Sequence, residues 1–141
     1  MENLRATGED LRMERVERGS NFAFGESFKQ RTKEFALRCI RLFRALPKQA
    51  DAYILGKQLL RSATSVAANY RAACRARSNA EFVAKIGIAL EEAEESLFWI
   101  ELLEESEIVT ASRLASLKQE ANELTSILVT IRKSSYKRNN S

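Results

Sequence analysis

The sequence predicts an all-α protein, folded as an antiparallel up-down-up-down four-helix bundle. Its 141 residues include only one proline and five glycines, so little interrupts long helices. Four stretches place apolar residues at alternating spacings of three and four, a pattern typical of amphipathic helices. The links between these stretches are short, which makes consecutive helices antiparallel. We therefore expect one bundle domain over residues 26–133.

The first two predicted helices cover residues 26–46 and 52–76. Pro47 ends the first, because proline disfavours helical backbone at the residue before it. Asp51 is the expected N-cap of the second. Many alanines make the second helix thin, which places it in the middle of the packing. The core-facing residues of these two helices are Phe28, Phe35, Cys39, Leu42, Leu46, Leu55, Leu59, Ser62, Val66, Asn69 and Ala73.

The third and fourth predicted helices cover residues 79–105 and 111–133. Ser78 and Glu81 form a capping box, in which the hydroxyl accepts from the Glu81 amide and the carboxylate accepts from the Ser78 amide. The core-facing residues are Phe82, Ile86, Ala89, Ala93, Ser96, Ile100, Leu103, Leu114, Leu117, Ala121, Leu124, Leu128 and Ile131. Residues 1–25 show no periodicity and are expected to be a flexible N-terminal arm, with residues 134–141 as a basic C-terminal tail.

Charge is unevenly distributed along the chain. The net charge is +4, yet residues 28–46 and 47–77 each carry +5 and residues 78–109 carry −8. Either the acidic helix neutralises its basic neighbours, or a basic face binds a polyanion. No aromatic stacking platform is visible, so nucleic acid would be bound through phosphates without sequence preference. The candidate nucleic-acid-binding residues are Lys29, Arg31, Lys33, Arg38, Arg41, Arg44, Arg75 and Arg77.

The end of the third helix carries more apolar side chains than one core-facing stripe needs. Leu97, Phe98, Trp99 and Leu102 are candidate residues of an interface between subunits. In the alternative, Phe98 and Trp99 cover a loop or the N-terminal arm, with its phenylalanines Phe22 and Phe24 folded against them.

Polar residues also occur within or beside the apolar stripes of helices two and three. They are Arg61, Ser65, Asn69, Arg71, Glu92 and Glu95. Buried polar groups need partners, so we expect Arg61 or Arg71 to meet a glutamate of the third helix. The favoured interpretation is a structural polar network that fixes packing register. The alternative is a polar channel in an oligomer.

The sequence predicts neither an enzyme nor a cofactor. It contains no histidine, which excludes Ser–His and Cys–His catalysis and the Glu-x-x-His ligand pairs of di-iron bundles. Phosphate-binding glycine motifs are absent too, and the many glutamates of helix three are expected to be solvated or ion-paired, with no metal. Cys39 and Cys74 are expected to be small core residues. The polar N-terminus and the lack of a long apolar run predict a cytoplasmic protein with no membrane segment.

One stretch of the second helix resembles a family signature. Residues 61–69 read RSATSVAAN, which is similar to the R-x-A-x-S-[IV]-x-x-N pattern of bacterial four-helix bundle proteins, the 23S ribosomal RNA intervening-sequence protein family. Ser78, Glu81 and Phe82 match the family's S-x-x-E-F helix start, and Pro47 its proline before helix two. The chain departs at residues 71–73, which read RAA in place of A-E-G, and at residues 91–92, where Glu-Glu replaces Gly-Ser. The resemblance covers residues 28–131.

The resemblance implies a cytoplasmic homo-oligomer, since members form ring-shaped homopentamers. Accessory proteins of diversity-generating retroelements are similar, and they bind nucleic acid and dock a reverse transcriptase. The implied partners are therefore RNA or DNA, and a reverse transcriptase or another protein. We expect a non-enzymatic accessory or scaffold protein that binds nucleic acid. The alternative is a protein–protein interaction module with no nucleic-acid role.

Overall fold

The protein consists of four helices joined by short links. The computed structural model describes the backbone of residues 8–139 and the side chains of residues 21–137. The helices are α1 (Gly8–Ala45), α2 (Ala50–Ala73), α3 (Asn79–Glu105) and α4 (Ala111–Asn139). They pack in chain order, which confirms the predicted all-α up-down-up-down bundle. Across residues 8–139, none of the helices has both the length and the apolar character that crossing a bilayer requires.

The predicted stripes form the core. Every residue expected to face inward is buried or partly buried. Among the largest fully buried side chains are Phe35, Leu59, Ile86, Ile100 and Leu124. The heptad pattern thus identified the inward face of all four helices, because only that face removes apolar surface from water.

The four helices do not contact one another equally. α2 and α3 share the most extensive contact, whereas α1 and α4 approach at few positions. α1 and α3 occupy diagonal corners, and their backbones do not come close to each other. The seam between α1 and α4 is crossed by polar bonds from Arg31 to Glu120 and from Arg38 to Ser116.

The N-terminal arm expected over residues 1–25 is helical from Gly8 onward. α1 has 38 residues and is about 57 Å long, against about 36–44 Å for the other helices. Its N-terminal part therefore extends beyond the bundle, and Asn21, Phe22 and Phe24 are exposed. The sequence has no apolar period there, which is why periodicity did not reveal this part of the helix. Residues 1–7 lie outside the described part, and flexibility of the arm stays a prediction.

Two helix starts differ from expectation. The N-cap of α2 is Gln49, which makes no side-chain capping bond, and Asp51 lies within the first turn. At α3, the Ser78 hydroxyl accepts from the Glu81 amide at 3.1 Å as predicted. The Glu81 carboxylate, however, accepts from the backbone of Arg77 at 3.1 Å and not from Ser78.

The ends of α3 and α4 add two features that the sequence did not indicate. After α3, Glu107 adopts a left-handed backbone with φ of 62°. α4 continues through the expected C-terminal tail as far as Asn139. The tail is held by a hydrogen bond of 3.1 Å from the side chain of Asn79 to the carbonyl of Ser135.

Candidate nucleic-acid interface

The most strongly paired cation of α1 is Arg31. Its Nε and Nη2 donate to the two carboxylate oxygens of Glu120 at 2.9 and 2.6 Å. Glu123 lies 3.6 Å away on the same helix. The hydrogen bond from Arg31 lowers the pKa of Glu120, and the bond to Glu120 raises the pKa of Arg31. Arg31, proposed from sequence as a phosphate ligand, thus ties α1 to α4.

Other cations of α1 are also engaged. Lys29 pairs with Glu26 at 2.8 Å and Arg41 pairs with Glu34 at 3.2 Å. A third, Arg38, donates to the hydroxyl of Ser116 at 2.9 Å, and because this partner is neutral it does not offset the charge of the arginine. Lys33 and Arg44 are exposed, and neither forms an ion pair with any residue that the structure describes. The basic row of α1 is therefore partly neutralised within the subunit.

A second group of cations lies at the corner between α2 and α3. Arg75 and Arg77 are exposed there, and Arg71 lies one turn earlier on α2. All three line one concavity of about 440 Å³ together with Ala68, Ala72 and Glu81. From the sequence, Arg75 and Arg77 were expected to bind nucleic acid and Arg71 was expected to belong to a polar network. The structure brings the three arginines together.

The polar network between α2 and α3 centres on Arg61. Its Nη1 lies 3.4 Å from Oε2 of Glu92, and its Nη2 contacts the carboxylate of Glu95. Asn69 donates to the carbonyl and hydroxyl of Ser65 on its own helix, at 2.9 and 3.0 Å. The network lies on a partly exposed surface of the subunit.

Deeper in the same contact lies a serine pair that sequence reasoning assigned only to the stripes. The Ser96 hydroxyl donates to that of Ser62 at 3.0 Å, and both side chains are fully buried. Ser62 in turn bonds the carbonyl of Leu59. Serine within otherwise apolar stripes on both helices was the available signal for this close contact.

The candidate interface residues of α3 have different surroundings. Leu97 and Trp99 pack partly against the subunit's own core. Phe98 is 49% exposed and meets Trp99 edge-on at 5.0 Å between ring centroids. Leu102 is partly buried.

The two phenylalanines of the N-terminal arm, Phe22 and Phe24, do not cover these residues. Phe24 stacks on Phe28 at 5.8 Å, and Phe22 lines a cleft of about 810 Å³ with Tyr70 and Phe82. That cleft lies at the end of the bundle opposite Phe98. The alternative that Phe22 and Phe24 fold against Phe98 and Trp99 is therefore wrong.

The two cysteines differ in exposure. Cys39 is buried as predicted, and burial raises the pKa of its thiol to about 12. Cys74 is exposed, so its assignment to the core was wrong. Cys74 directly follows the last residue of α2 and lines the cleft with Tyr70. Because the helix has ended, the apolar stripe no longer determines whether this side chain faces inward. Among residues 21–137, no three potential metal ligands of the His, Cys, Asp and Glu type converge.

Comparison with known proteins identifies the family. The sequence model described as 23S rRNA-intervening sequence protein matches residues 27–130. The chain belongs to this family. A solved structure of a protein of unknown function, from the S23 ribosomal protein family of Bacteroides thetaiotaomicron VPI-5482, is similar. It shares 37% identity with a TM-score of 0.72, over 77% of this chain and 97% of that one. No curated protein matches the chain.

Proposed function

We propose that this 23S rRNA-intervening sequence protein is a cytoplasmic, non-enzymatic homo-oligomer that binds RNA or DNA through phosphate contacts, as an accessory or scaffold. A reverse transcriptase or another protein is the kind of partner that such a scaffold would hold. The family's name refers to ribosomal RNA, which agrees with a nucleic-acid partner.

The observation that carries the proposal is the spatial separation of charge. The backbones of the acidic helix α3 and of α1 do not come close to each other, and none of the ion pairs among the described residues joins these two helices. The ion pairs of α3 are Arg61 with Glu92 and Glu95, and Lys118 with Glu104, within the described residues. The unpaired cations of α1 and of the α2–α3 corner are therefore available to a polyanion.

Assembly is supported by apolar surface on the outer side of α2 and α3. Ile54 is 59% exposed and Phe98 is 49% exposed. Because the two helices are antiparallel and Arg61 faces Glu95, Ile54 lies near the same end of this surface as Phe98. Exposed apolar side chains grouped on one surface are typical of subunit contacts. A ring would repeat the basic surfaces, so weak contacts in each subunit would add up to useful avidity.

The test is a filter-binding titration of the purified protein with single-stranded RNA and DNA of equal length, at low and at physiological salt. We expect both to be retained at low salt, with affinity falling steeply as salt rises, because phosphate contacts release counterions. No retention of either at low salt would contradict the proposal.

The alternative is a protein–protein interaction module with no nucleic-acid role. The exposed apolar residues of α2 and α3 favour it as much as they favour self-association. An oligomer that retains no nucleic acid at low salt would support this alternative.

A further inference from the structure

We propose that the main phosphate-binding site of this protein is the α2–α3 corner, formed by Arg71, Arg75 and Arg77, and not the basic row of α1. This inference rests on the proposed function, since it names where nucleic acid is held. It also adds Arg71, which the sequence placed in a polar network, to the binding residues.

The shape of the α2–α3 corner suits the binding of a phosphate group. The three arginines line a single concavity of about 440 Å³, and two more of its lining residues are Ala68 and Ala72. Arg71 lies in the last turn of α2 and Arg75 follows the end of that helix, and both line the concavity. Methyl side chains between them leave room for a phosphate to approach several guanidinium groups at once. Planar guanidinium groups can each donate two hydrogen bonds to phosphate oxygens.

The charges of the corner arginines have no partners within the part of the chain that the structure describes. None of the three guanidinium groups makes an ion pair or a side-chain hydrogen bond to any described residue. On α1, by contrast, Arg31 is held by Glu120 through two bonds. A phosphate bound by Arg31 would have to displace that carboxylate, whereas one bound at the corner displaces only water.

The start of the neighbouring helix α3 strengthens the positive field at the corner. α3 begins next to the corner with Ser78 as its N-cap, so the positive end of its dipole adds to the field of the arginines. Glu81 is the acidic residue that lines the concavity. Its carboxylate accepts from the Arg77 amide at 3.1 Å and stays bound to backbone, not to a guanidinium. Glu81 is thus expected to weaken phosphate binding without blocking it.

The experiment compares two double variants by fluorescence anisotropy, with labelled single-stranded RNA and DNA of equal length. The corner variant is Arg75→Ala with Arg77→Ala. The matched control removes the two unpaired cations of α1, by Lys33→Ala with Arg44→Ala. We expect the corner variant to bind roughly tenfold more weakly at low salt and to lose more than one unit of the slope of log K against log salt. The control should lose less than about threefold. The RNA and DNA arms show whether the 2′-hydroxyl contributes.

A third variant, Glu81→Gln, should bind both nucleic acids more tightly than the unchanged protein. Thermal melting followed by circular dichroism verifies that each variant folds. Equal losses in the corner and control variants, with the unchanged protein binding, would overturn the corner assignment and leave the proposed function intact. No binding by the unchanged protein would overturn both.

Discussion

Arg31 and Glu120 join the first and last helices through a two-pronged contact, with N–O distances of 2.9 and 2.6 Å. The two residues are 89 positions apart in the chain. The backbones of α1 and α4 approach each other at few positions, and this pair and the bond from Arg38 to Ser116 join the two helices there. Arg31, which was expected to bind phosphate, therefore holds two helices of the bundle together.

Breaking this pair should destabilise the protein modestly and in a pH-dependent way. A double-mutant cycle of Arg31→Met and Glu120→Gln should give a coupling of about 0.5–1 kcal/mol at neutral pH, since the pair is only partly buried. The pKa of Glu120 is lowered in the folded protein. The stability that ionised Glu120 contributes is therefore present at pH values above 4.5, the ordinary pKa of glutamate. It is lost as the pH falls through the lower pKa that Glu120 has in the folded protein.

Urea unfolding at neutral pH and at about pH 3 measures this coupling. The exposed pair Arg41 and Glu34, treated in the same way, serves as the control and should show a smaller coupling. Equal coupling at both pH values would contradict the assignment of the effect to Glu120.

The serine pair between α2 and α3 should tolerate loss of its hydroxyl better than an increase in size. Ser62→Ala removes the bonds to Ser96 and to the Leu59 carbonyl, but Ser96 keeps its bond to the Glu92 carbonyl, so the cost should be about 1 kcal/mol. Ser62→Leu forces a branched side chain into a fully buried position against Ser96 and should cost about 1–3 kcal/mol or more. Chemical denaturation measures both, and a leucine variant as stable as the alanine variant would show that this contact has free space.

Replacing Glu107 should stabilise the protein. Its φ of 62° lies in the left-handed region, where glycine avoids the steric cost of a side chain. Glu107→Gly should raise the free energy of unfolding by about 1 kcal/mol. The control is Glu94→Gly, which removes the same charge from an exposed position inside α3 and should lower stability by about 1 kcal/mol. Stabilisation by both changes would point to relief of acidic repulsion and not to backbone strain.

The proposed assembly should depend on Phe98 more than on Trp99. Phe98 is half exposed, so Phe98→Glu should shift a homo-oligomer towards monomers while the subunit melts at nearly the same temperature. Trp99 packs against the core, and Trp99→Asp should lower the melting temperature directly. Sedimentation equilibrium with parallel melting curves separates the two effects. A protein that is already monomeric at tens of micromolar would remove the basis for the assembly.

The bundle itself could be predicted because burial imposes a period on each helix. α3 was predicted over residues 79–105, as found, since Ser78 marks its start and Phe82 opens an uninterrupted stripe. The first part of α1 was missed because the sequence there shows no helical period. The left-handed Glu107 was also unpredictable, since the residue type gives no sign of a conformation that usually belongs to glycine.

The candidate site was predicted less well, because charge partners are set by packing. Sequence indicates that Arg31 lies on a basic helix, but not that Glu120 faces it from the last helix. It could not show that Arg71 shares a concavity with Arg75 and Arg77, because Arg75 and Arg77 lie in the link after α2. What could be found was the pairing of Arg61 with helix three, since polar residues beside the stripes of adjacent helices can meet.

The sparse seam between α1 and α4 has a consequence for the order in which the chain folds. It is the one helix–helix contact in residues 8–139 that joins elements distant in sequence. All other contacts connect consecutive helices, so the entropy lost in closing the short links between them is small. Such a topology is typical of rapid folding. The α2–α3 hairpin, with the most extensive packing, is expected to keep its amide protons longest in hydrogen exchange, while the two outer helices separate along the seam in sub-global openings.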